Sequence, residues 1–260
     1  MVFRPSIRPP HALIAALAIG SVLAGASHAQ TIPPGTCDLP AAAATASPPS
    51  LPHVAAALRG GGPLDVLAIG SGTMANPRLK PDEAFPGRTA QALRTERPGL
   101  DVRVAVDAKR GATAVDMLAT LRKALAAHQY RLVLWQTGSV EQLRASPPGE
   151  LARTLADGAK QTGAAGADLV LIDPQYAAEL PTATDPAPYQ AAFASVAGQP
   201  GVALLSRYAL MQDWARSGAL DLGHVKRVDR RRTLLLLHAC LGRALGAAIL
   251  DGAGVAPAGG

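Results

Sequence analysis

The fold of this chain is set by the stretch Leu64-Asp65-Val66-Leu67-Ala68-Ile69-Gly70. It is a short apolar run that ends at a glycine, a pattern typical of a buried β-strand. Further apolar runs follow, separated by residues with helical spacing, and they cover residues 101–106, 131–136, 168–172 and 202–205. Five apolar strands that alternate with helices predict an α/β fold, a three-layer sandwich in which a five-stranded parallel sheet carries helices on both faces.

The predicted helices lie before and between these strands and after the last one. They cover residues 54–59, 82–97, 112–128, 150–162, 188–197, 208–216 and 233–250. Ligands of a parallel sheet bind beyond the carboxyl ends of its strands. We therefore expect a pocket formed by the residues that follow the strands, which are 70–73, 108–113, 137–140 and 173–176.

The first 29 residues have the order of a secretory signal peptide. Arg4 and Arg8 precede an apolar run over residues 12–26, and Ser27-His28-Ala29 is a small-x-small cleavage site. The run is shorter than the ~20 residues that a membrane-spanning helix needs, and no other stretch is predicted to span a membrane. We expect an exported protein, periplasmic or secreted, with no stable span once the signal peptide is removed.

The mature chain is predicted to hold one folded domain. Residues 30–63 are rich in proline and alanine and are interpreted as an N-terminal segment. Residues 64–251 carry the alternation of strands and helices and form the domain. Residues 252–260 are small and are expected to form a flexible tail.

Composition argues against several classes of function. The net charge is +6, and cleavage of the signal peptide removes two arginines. So mild a charge, without a basic stripe interleaved with aromatic residues, does not indicate nucleic-acid binding. The loop at residues 70–73 lacks the Lys-Ser/Thr end of a phosphate-binding loop, and no cofactor is expected. The expected partner is a small-molecule or glycan ligand, and the oligomeric state is left open.

The chain contains two cysteines, Cys37 and Cys240. They are too few and too far apart for a zinc site, and no metal is expected. Export would place them in an oxidising compartment, where one pair allows one connectivity. The sequence therefore predicts a disulfide bond between the N-terminal segment and the last helix, with two free thiols as the alternative.

Short blocks at the strand ends and before the last helix give the chain a family likeness. The blocks are Leu67-Ala68-Ile69-Gly70-Ser71-Gly72, Lys109-Arg110-Gly111, Leu134-Trp135-Gln136-Thr137-Gly138-Ser139-Val140, Leu171-Ile172-Asp173-Pro174-Gln175-Tyr176 and Asp229-Arg230-Arg231-Arg232 followed by Ala239-Cys240-Leu241. In their order and spacing the chain resembles the SGNH hydrolases, also called GDSL-type lipases and esterases. The resemblance implies a flavodoxin-like sheet and, as the family reaction, ester hydrolysis.

The resemblance also implies where the catalytic groups of the family would fall. In the family a serine attacks the ester, a histidine three residues after an aspartate takes its proton, and backbone N–H groups and an asparagine stabilise the oxyanion. The glycine and aspartate positions are kept as Gly111 and Asp229. The nucleophile position falls on Gly72, the asparagine position on Val140 and the histidine position on Arg232, so no working catalytic residue is expected.

Three functions follow from this comparison. The first is a non-catalytic protein that binds a cell-envelope acyl, glycan or anionic ligand in the former active-site pocket. The second is an active serine esterase or carbohydrate-ester deacylase that uses Ser71 and His224, because Asp221 and His224 repeat the Asp-x-x-His spacing. The third is an interaction domain without a small-molecule site.

Two further features bear on a ligand. Thr73 and Asp173 follow strands and are predicted to line the pocket, with a turn or helix cap as the alternative for Asp173. Lys226, Arg227 and residues 230–232 form a basic cluster. It is interpreted either as a solvated loop or as an anion site.

Overall fold

A sheet of five parallel strands forms the centre of the protein, with the spatial order β2-β1-β3-β4-β5. The computed structural model describes Cys37 and residues 50–74, 76–176, 185–223 and 225–255. The strands are β1 (Leu64–Gly70), β2 (Val102–Ala108), β3 (Leu132–Gln136), β4 (Asp168–Ile172) and β5 (Val202–Leu205). The predicted five-stranded parallel sheet is confirmed.

Helices cover both faces of this sheet, which confirms the predicted three-layer sandwich. On one face pack α1 (Pro52–Gly60), α2 (Phe85–Glu96), α7 (Arg207–Arg216) and α8 (Arg230–Gly252). On the other face pack α3 (Ala114–Ala127), α5 (Pro148–Ala164) and α6 (Ala187–Ala194). The short helix α4 (Ser139–Leu143), which the sequence analysis did not predict, follows β3 directly.

The strand β1 is largely apolar because both of its faces are buried. Alternate side chains of a strand point to opposite faces of the sheet. Leu64 and Val66 join the core beneath α2 and α8, and Leu67 and Ile69 join the core beneath α3 and α5. By contrast, β2 lies at an edge of the sheet, and its Val106 remains 45% exposed.

Helices α2 and α8 approach each other closely. A Cβ atom on Gly242 would lie 2.8 Å from the carbonyl carbon of Arg88 and 2.9 Å from the nitrogen of Thr89. Only glycine permits this approach. One turn earlier on each helix, the same approach brings His238 against Phe85, whose backbone N–H donates to the histidine Nδ1 at 2.9 Å.

Helix α1 belongs to the same core as the sheet. The predicted helix at residues 54–59 is observed as α1, and Leu51 and Val54 are fully buried. The N–H of Leu51 donates to the carbonyl of Gly252 at 2.7 Å, and the N–H of Val54 donates to Asp168 Oδ2 at 2.8 Å. The last part of the predicted N-terminal segment is thus packed against the domain.

The predicted disulfide bond between Cys37 and Cys240 is confirmed. The two Cα atoms lie 5.2 Å apart and are separated by 203 positions in the sequence. Both residues are buried in the core that contains α8. In the chain-entropy account, closing a loop of this length stabilises the fold by about 5 kcal/mol.

By its contacts the chain divides after Thr31, and the described residues all belong to the part Ile32–Gly260. The predicted signal peptide precedes this division and lies outside the described residues. Among the described residues, α8 is long and apolar enough to cross a membrane, a stretch that the sequence analysis had not recognised as a candidate span. More than half of its most apolar window is buried inside the protein, as is typical of the core helix of a folded domain.

Candidate functional site

The loop after β1 carries Gly72, the position predicted to correspond to the family nucleophile. A Cβ on Gly70 would lie 3.1 Å from Met74 Cβ and 3.2 Å from the Gln136 carbonyl oxygen, so this glycine is tightly packed. A Cβ on Gly72 would lie 3.5 Å from Arg110 Cβ and 3.6 Å from its Nε. A side chain would therefore fit at position 72, and the guanidinium group of an arginine would lie beside it.

The buried amide of Gln136 joins the two hydroxyl groups of this loop. Gln136 ends β3 and is fully buried. Its Nε2 donates to Ser71 Oγ at 3.1 Å, and its Oε1 accepts from Thr73 Oγ1 at 2.7 Å. A serine becomes a nucleophile when a base accepts its proton. The amide of Gln136 instead donates to the Ser71 oxygen and does not accept its proton.

Arg207 extends this hydrogen-bond network from the end of β5. It is the first residue of α7 and is only 2% exposed. Its Nη1 donates to Thr73 Oγ1 at 3.4 Å and its Nη2 to Gln175 Oε1 at 2.9 Å, whereas its buried Nε has no partner. Burial lowers the pKa of Arg207 to about 10, so the group remains a cation at neutral pH.

Asp173 follows β4 and lies at the start of α7. Its Oδ1 accepts from the N–H of Tyr208 and its Oδ2 from the hydroxyl of Ser206, both at 2.9 Å. Burial raises the pKa of Asp173 to about 6, and these hydrogen bonds and the charge of Arg207 counter it only partly. These contacts match the predicted alternative of a helix cap for Asp173, because they stabilise the N-terminus of α7.

His238 is the imidazole on the same side of the sheet. It is 2% exposed, and its Nδ1 is occupied by the N–H of Phe85. Burial, followed by the charges of Arg207 and Arg88, lowers the pKa of His238 to about 4. The ring is neutral at physiological pH, and no hydrogen bond joins it to Ser71 in the described part of the chain.

The loop and short helix after β3 carry Val140, the position predicted to correspond to the oxyanion asparagine. Gly138 has a φ of +88°, and a Cβ there would lie 2.8 Å from the Phe193 ring, so glycine is required. The buried carboxylate of Glu141 accepts from the N–H of Gly138 at 3.1 Å and from that of Ala114. Val140 lies between them in the first turn of α4 and offers no side-chain donor.

Gly111 keeps the conformation that its block requires. It has a φ of +75° in the turn between β2 and α3, a region that glycine enters without strain. A cavity of about 240 Å³ opens beside this turn at the carboxyl ends of β1 and β2. Its lining residues are Ile69, Gly70, Asp107, Lys109, Ala112, Asp116, Met117, Ala119 and Thr120.

The last block lies at the surface. Helix α8 begins at Arg230, three residues earlier than predicted, so Arg232 lies within its first turn. Asp229 and Arg232 are both exposed, and no ion pair joins them among the described residues. In the basic cluster Arg231 pairs with Glu83 at 3.0 Å.

His224, the histidine of the second Asp-x-x-His, lies outside the described residues, so its pairing with Ser71 stays a prediction. Asp221 is exposed, and Ser71 is half-buried in the loop after β1. No group of three or more histidine, cysteine, aspartate or glutamate residues that could hold a metal occurs in the described ranges.

The sequence analysis missed two residues that organise this edge of the sheet, Gln136 and Arg207, whereas Gln175 lies within the range 173–176 that was predicted to form the pocket. One signal was available for Arg207. The residues after β1, β2, β3 and β4 were inspected, but those after β5 were not, although Ser206-Arg207 follows that strand directly. For Gln136, a polar residue at the end of an otherwise apolar strand was the corresponding signal.

Comparisons with known proteins agree with this architecture. The sequence profile of the non-GDSL lipase-like family matches residues 36–255. The crystal structure of TesA aligns with a TM-score of 0.53 and 25% identity, covering 65% of this chain and 93% of TesA. Axe2, an acetylxylan esterase from Geobacillus stearothermophilus, aligns with a TM-score of 0.56 and 17% identity, covering 74% of this chain and 94% of Axe2.

A mutant of the esterase AlinE4 also aligns, with a TM-score of 0.51 and 19% identity over 65% of this chain and 88% of that chain. At these identities Axe2 and AlinE4 show a shared fold. No curated protein matches the chain by sequence. The matches confirm the resemblance that the sequence blocks predicted.

Proposed function

Because the chain belongs to the non-GDSL lipase-like family, we propose that it is a non-catalytic member that binds a cell-envelope acyl, glycan or anionic ligand at the carboxyl edge of its sheet. One observation carries this proposal. The Ser71 hydroxyl, next to Gly72 at the predicted nucleophile position, accepts a hydrogen bond from Gln136 Nε2 at 3.1 Å. The serine that remains is therefore not paired with a base in the described part of the chain.

The three substituted positions would each impair the family reaction. Without a hydroxyl at Gly72, no acyl-enzyme forms at that position. Loss of one oxyanion donor, as at Val140, costs about 10²–10³ in rate. A guanidinium group, as at Arg232, offers hydrogen-bond donors and no acceptor, so it cannot serve as the general base.

The network that replaces the catalytic groups is suited to binding. Ser71 and Thr73 are half-buried, and Gln175 is exposed. Their hydroxyl and amide groups lead from the surface to buried Gln136 and Arg207. Such a set of donors and acceptors at the end of a parallel sheet is typical of a ligand site.

An active serine esterase or carbohydrate-ester deacylase is the second candidate. The half-buried Ser71 at the carboxyl edge favours it, because this hydroxyl lies one residue from the nucleophile position. In that case His224, oriented by Asp221, takes the proton of Ser71. Hydrolysis would then depend on Ser71 and His224 together.

Export is part of the proposal. The signal peptide predicted over residues 1–29 supports it, as does the disulfide bond between Cys37 and Cys240, since such bonds persist in oxidising compartments. We propose a periplasmic or secreted protein.

An esterase assay tests the loss of catalysis. We expect the purified protein to hydrolyse p-nitrophenyl acetate and p-nitrophenyl butyrate no faster than buffer. Ser71→Ala and a matched control, Ser217→Ala at the exposed end of α7, should behave like the wild type. Turnover that is lost in Ser71→Ala and retained in Ser217→Ala would instead establish the second candidate.

A further inference from the structure

Arg207 has more hydrogen-bond donors than the fold uses. A guanidinium group carries five N–H donors. One donates to Thr73 Oγ1 at 3.4 Å and one to Gln175 Oε1 at 2.9 Å, whereas the buried Nε has no partner. An unpartnered buried donor destabilises a fold, and more so when the group is charged. Such a group therefore calls for an explanation, and a bound ligand or ion is one.

Within the described residues no carboxylate contacts the guanidinium group of Arg207, since both of its acceptors are neutral, a hydroxyl and an amide. Asp173 is the carboxylate whose charge acts on it, and with a pKa of about 6 it balances that charge from nearby at neutral pH. Asp173 makes its hydrogen bonds to Ser206 and Tyr208, however, so the guanidinium N–H groups have no anionic acceptor among the described side chains.

A polar rim connects Arg207 with the surface. Ser71 and Thr73 come from the loop after β1, and Gln175 comes from the loop after β4. Gln175 is exposed, whereas Arg207, which donates a hydrogen bond to it, is 2% exposed. Displacement of one surface side chain would bring a ligand into contact with the guanidinium group.

We propose that Arg207 anchors the carboxylate group of an acidic ligand. The Nε–H and a neighbouring Nη–H donate in parallel to the two carboxylate oxygens, while the hydrogen bond from Nη1 to Thr73 Oγ1 holds the guanidinium plane. An esterase stabilises negative charge that forms only during the reaction. A permanent buried cation instead favours a permanent anion, so the ligand is the free acid and not its neutral ester. This inference rests on the proposed function and names its ligand class.

Calorimetric titration of the purified protein tests the inference. The probes are octanoate and glucuronate, each compared with its neutral counterpart, methyl octanoate or glucose. We expect at least one acid to bind ten times or more tightly than its counterpart. Gln175→Glu places a competing carboxylate 2.9 Å from Arg207 and should weaken acid binding at least tenfold. Gln199→Glu, an equal change of charge at the opposite edge, should leave binding unchanged.

The outcomes separate the inference from the proposed function. A neutral probe that binds as tightly as its acid, with no effect of Gln175→Glu, would overturn the role of Arg207 and leave the binding function standing. Failure of all four probes would overturn both. A shift of the Arg207 Nε–H resonance in nitrogen-15 NMR on addition of the bound acid, absent in Gln175→Glu, would place the carboxylate at this group.

Discussion

At each end of β4 a buried carboxylate contacts the N-terminus of a helix, but the surroundings of the two carboxylates differ. At the amino end, the buried carboxylate of Asp168 accepts from the N–H of Val54 in the first turn of α1. At the carboxyl end, the buried carboxylate of Asp173 accepts from the N–H of Tyr208 in the first turn of α7. In each case a carboxylate at the end of a strand stabilises a helix N-terminus, where free N–H groups and the helix dipole favour negative charge.

The surroundings of the two carboxylates differ. Asp168 is fully buried, and its second oxygen, which has no partner, is closed off by the backbone at Gly201. Asp173 instead lies beside buried Arg207, whose network reaches the exposed Gln175. The comparison teaches that an unpartnered buried atom does not identify a site by itself. The proposal for Arg207 rests also on the polar side chains that connect it with the surface.

The largest expected effect concerns the pH dependence at the carboxyl end. Burial raises the folded-state pKa of Asp173 to about 6 from an ordinary 3.8. The folded state therefore binds the proton more tightly, and stability falls as pH rises through this window. Over about two pH units the loss is about 3 kcal/mol. We expect the stability of Asp173→Asn relative to the wild type to increase by about this amount between pH 4 and 6.5, measured by urea unfolding.

The contribution of His238 to stability changes with pH in the opposite direction. Burial lowers its folded-state pKa to about 4 from 6.5, so the wild type gains stability as pH rises through that window. In His238→Gln the stability relative to the wild type should therefore fall by about 3 kcal/mol over the same range. If the free energies of unfolding of wild type, Asp173→Asn and His238→Gln changed with pH in parallel, both pKa shifts would be contradicted.

The next effect tests the amino end as a purely structural device. Asp168→Ala leaves the buried N–H of Val54 without its acceptor and should lower the free energy of unfolding by about 2 kcal/mol. Asp168→Asn retains an acceptor oxygen and should cost less than half as much. The surface change Asp101→Ala, which removes only an exposed pair with Arg103, should cost less than about 0.5 kcal/mol. Equal losses in Asp168→Ala and Asp101→Ala would show that the hydrogen bond of Asp168 to α1 stabilises the fold no more than an exposed ion pair does.

The smallest effect tests whether Arg207 lacks a contacting carboxylate. Gln175→Glu replaces an amide oxygen that already accepts from Arg207 Nη2 with a carboxylate. The new ion pair should raise the free energy of unfolding by about 1 kcal/mol, because a charge-assisted hydrogen bond is stronger than a neutral one. The exposed control Gln199→Glu should change it by less than about 0.3 kcal/mol. No gain in Gln175→Glu would mean that the guanidinium charge is already compensated.

The sequence predicted most of the fold because the relevant signal is local. The apolar run of β1 and the periodic residues of α3 each record burial in a short window, so their existence and order were confirmed. Helix ends were less accurate: α8 begins at Arg230 because three arginines, which sequence patterning assigned to a loop, continue its first turn. The five residues of α4 were missed because one turn is too short for a periodic pattern.

By itself the sequence determined the α/β sandwich and the Cys37–Cys240 bond, for which hydrophobic periodicity and the count of two cysteines suffice. That Gly72, Val140 and Arg232 stand at the catalytic positions of the family rests on block order and stays a prediction. Only the tertiary structure decided which polar side chains meet. Gln136, Gln175 and Arg207 come from the ends of three different strands, and their hydrogen bonds exist because parallel pairing brings those ends to one edge of the sheet.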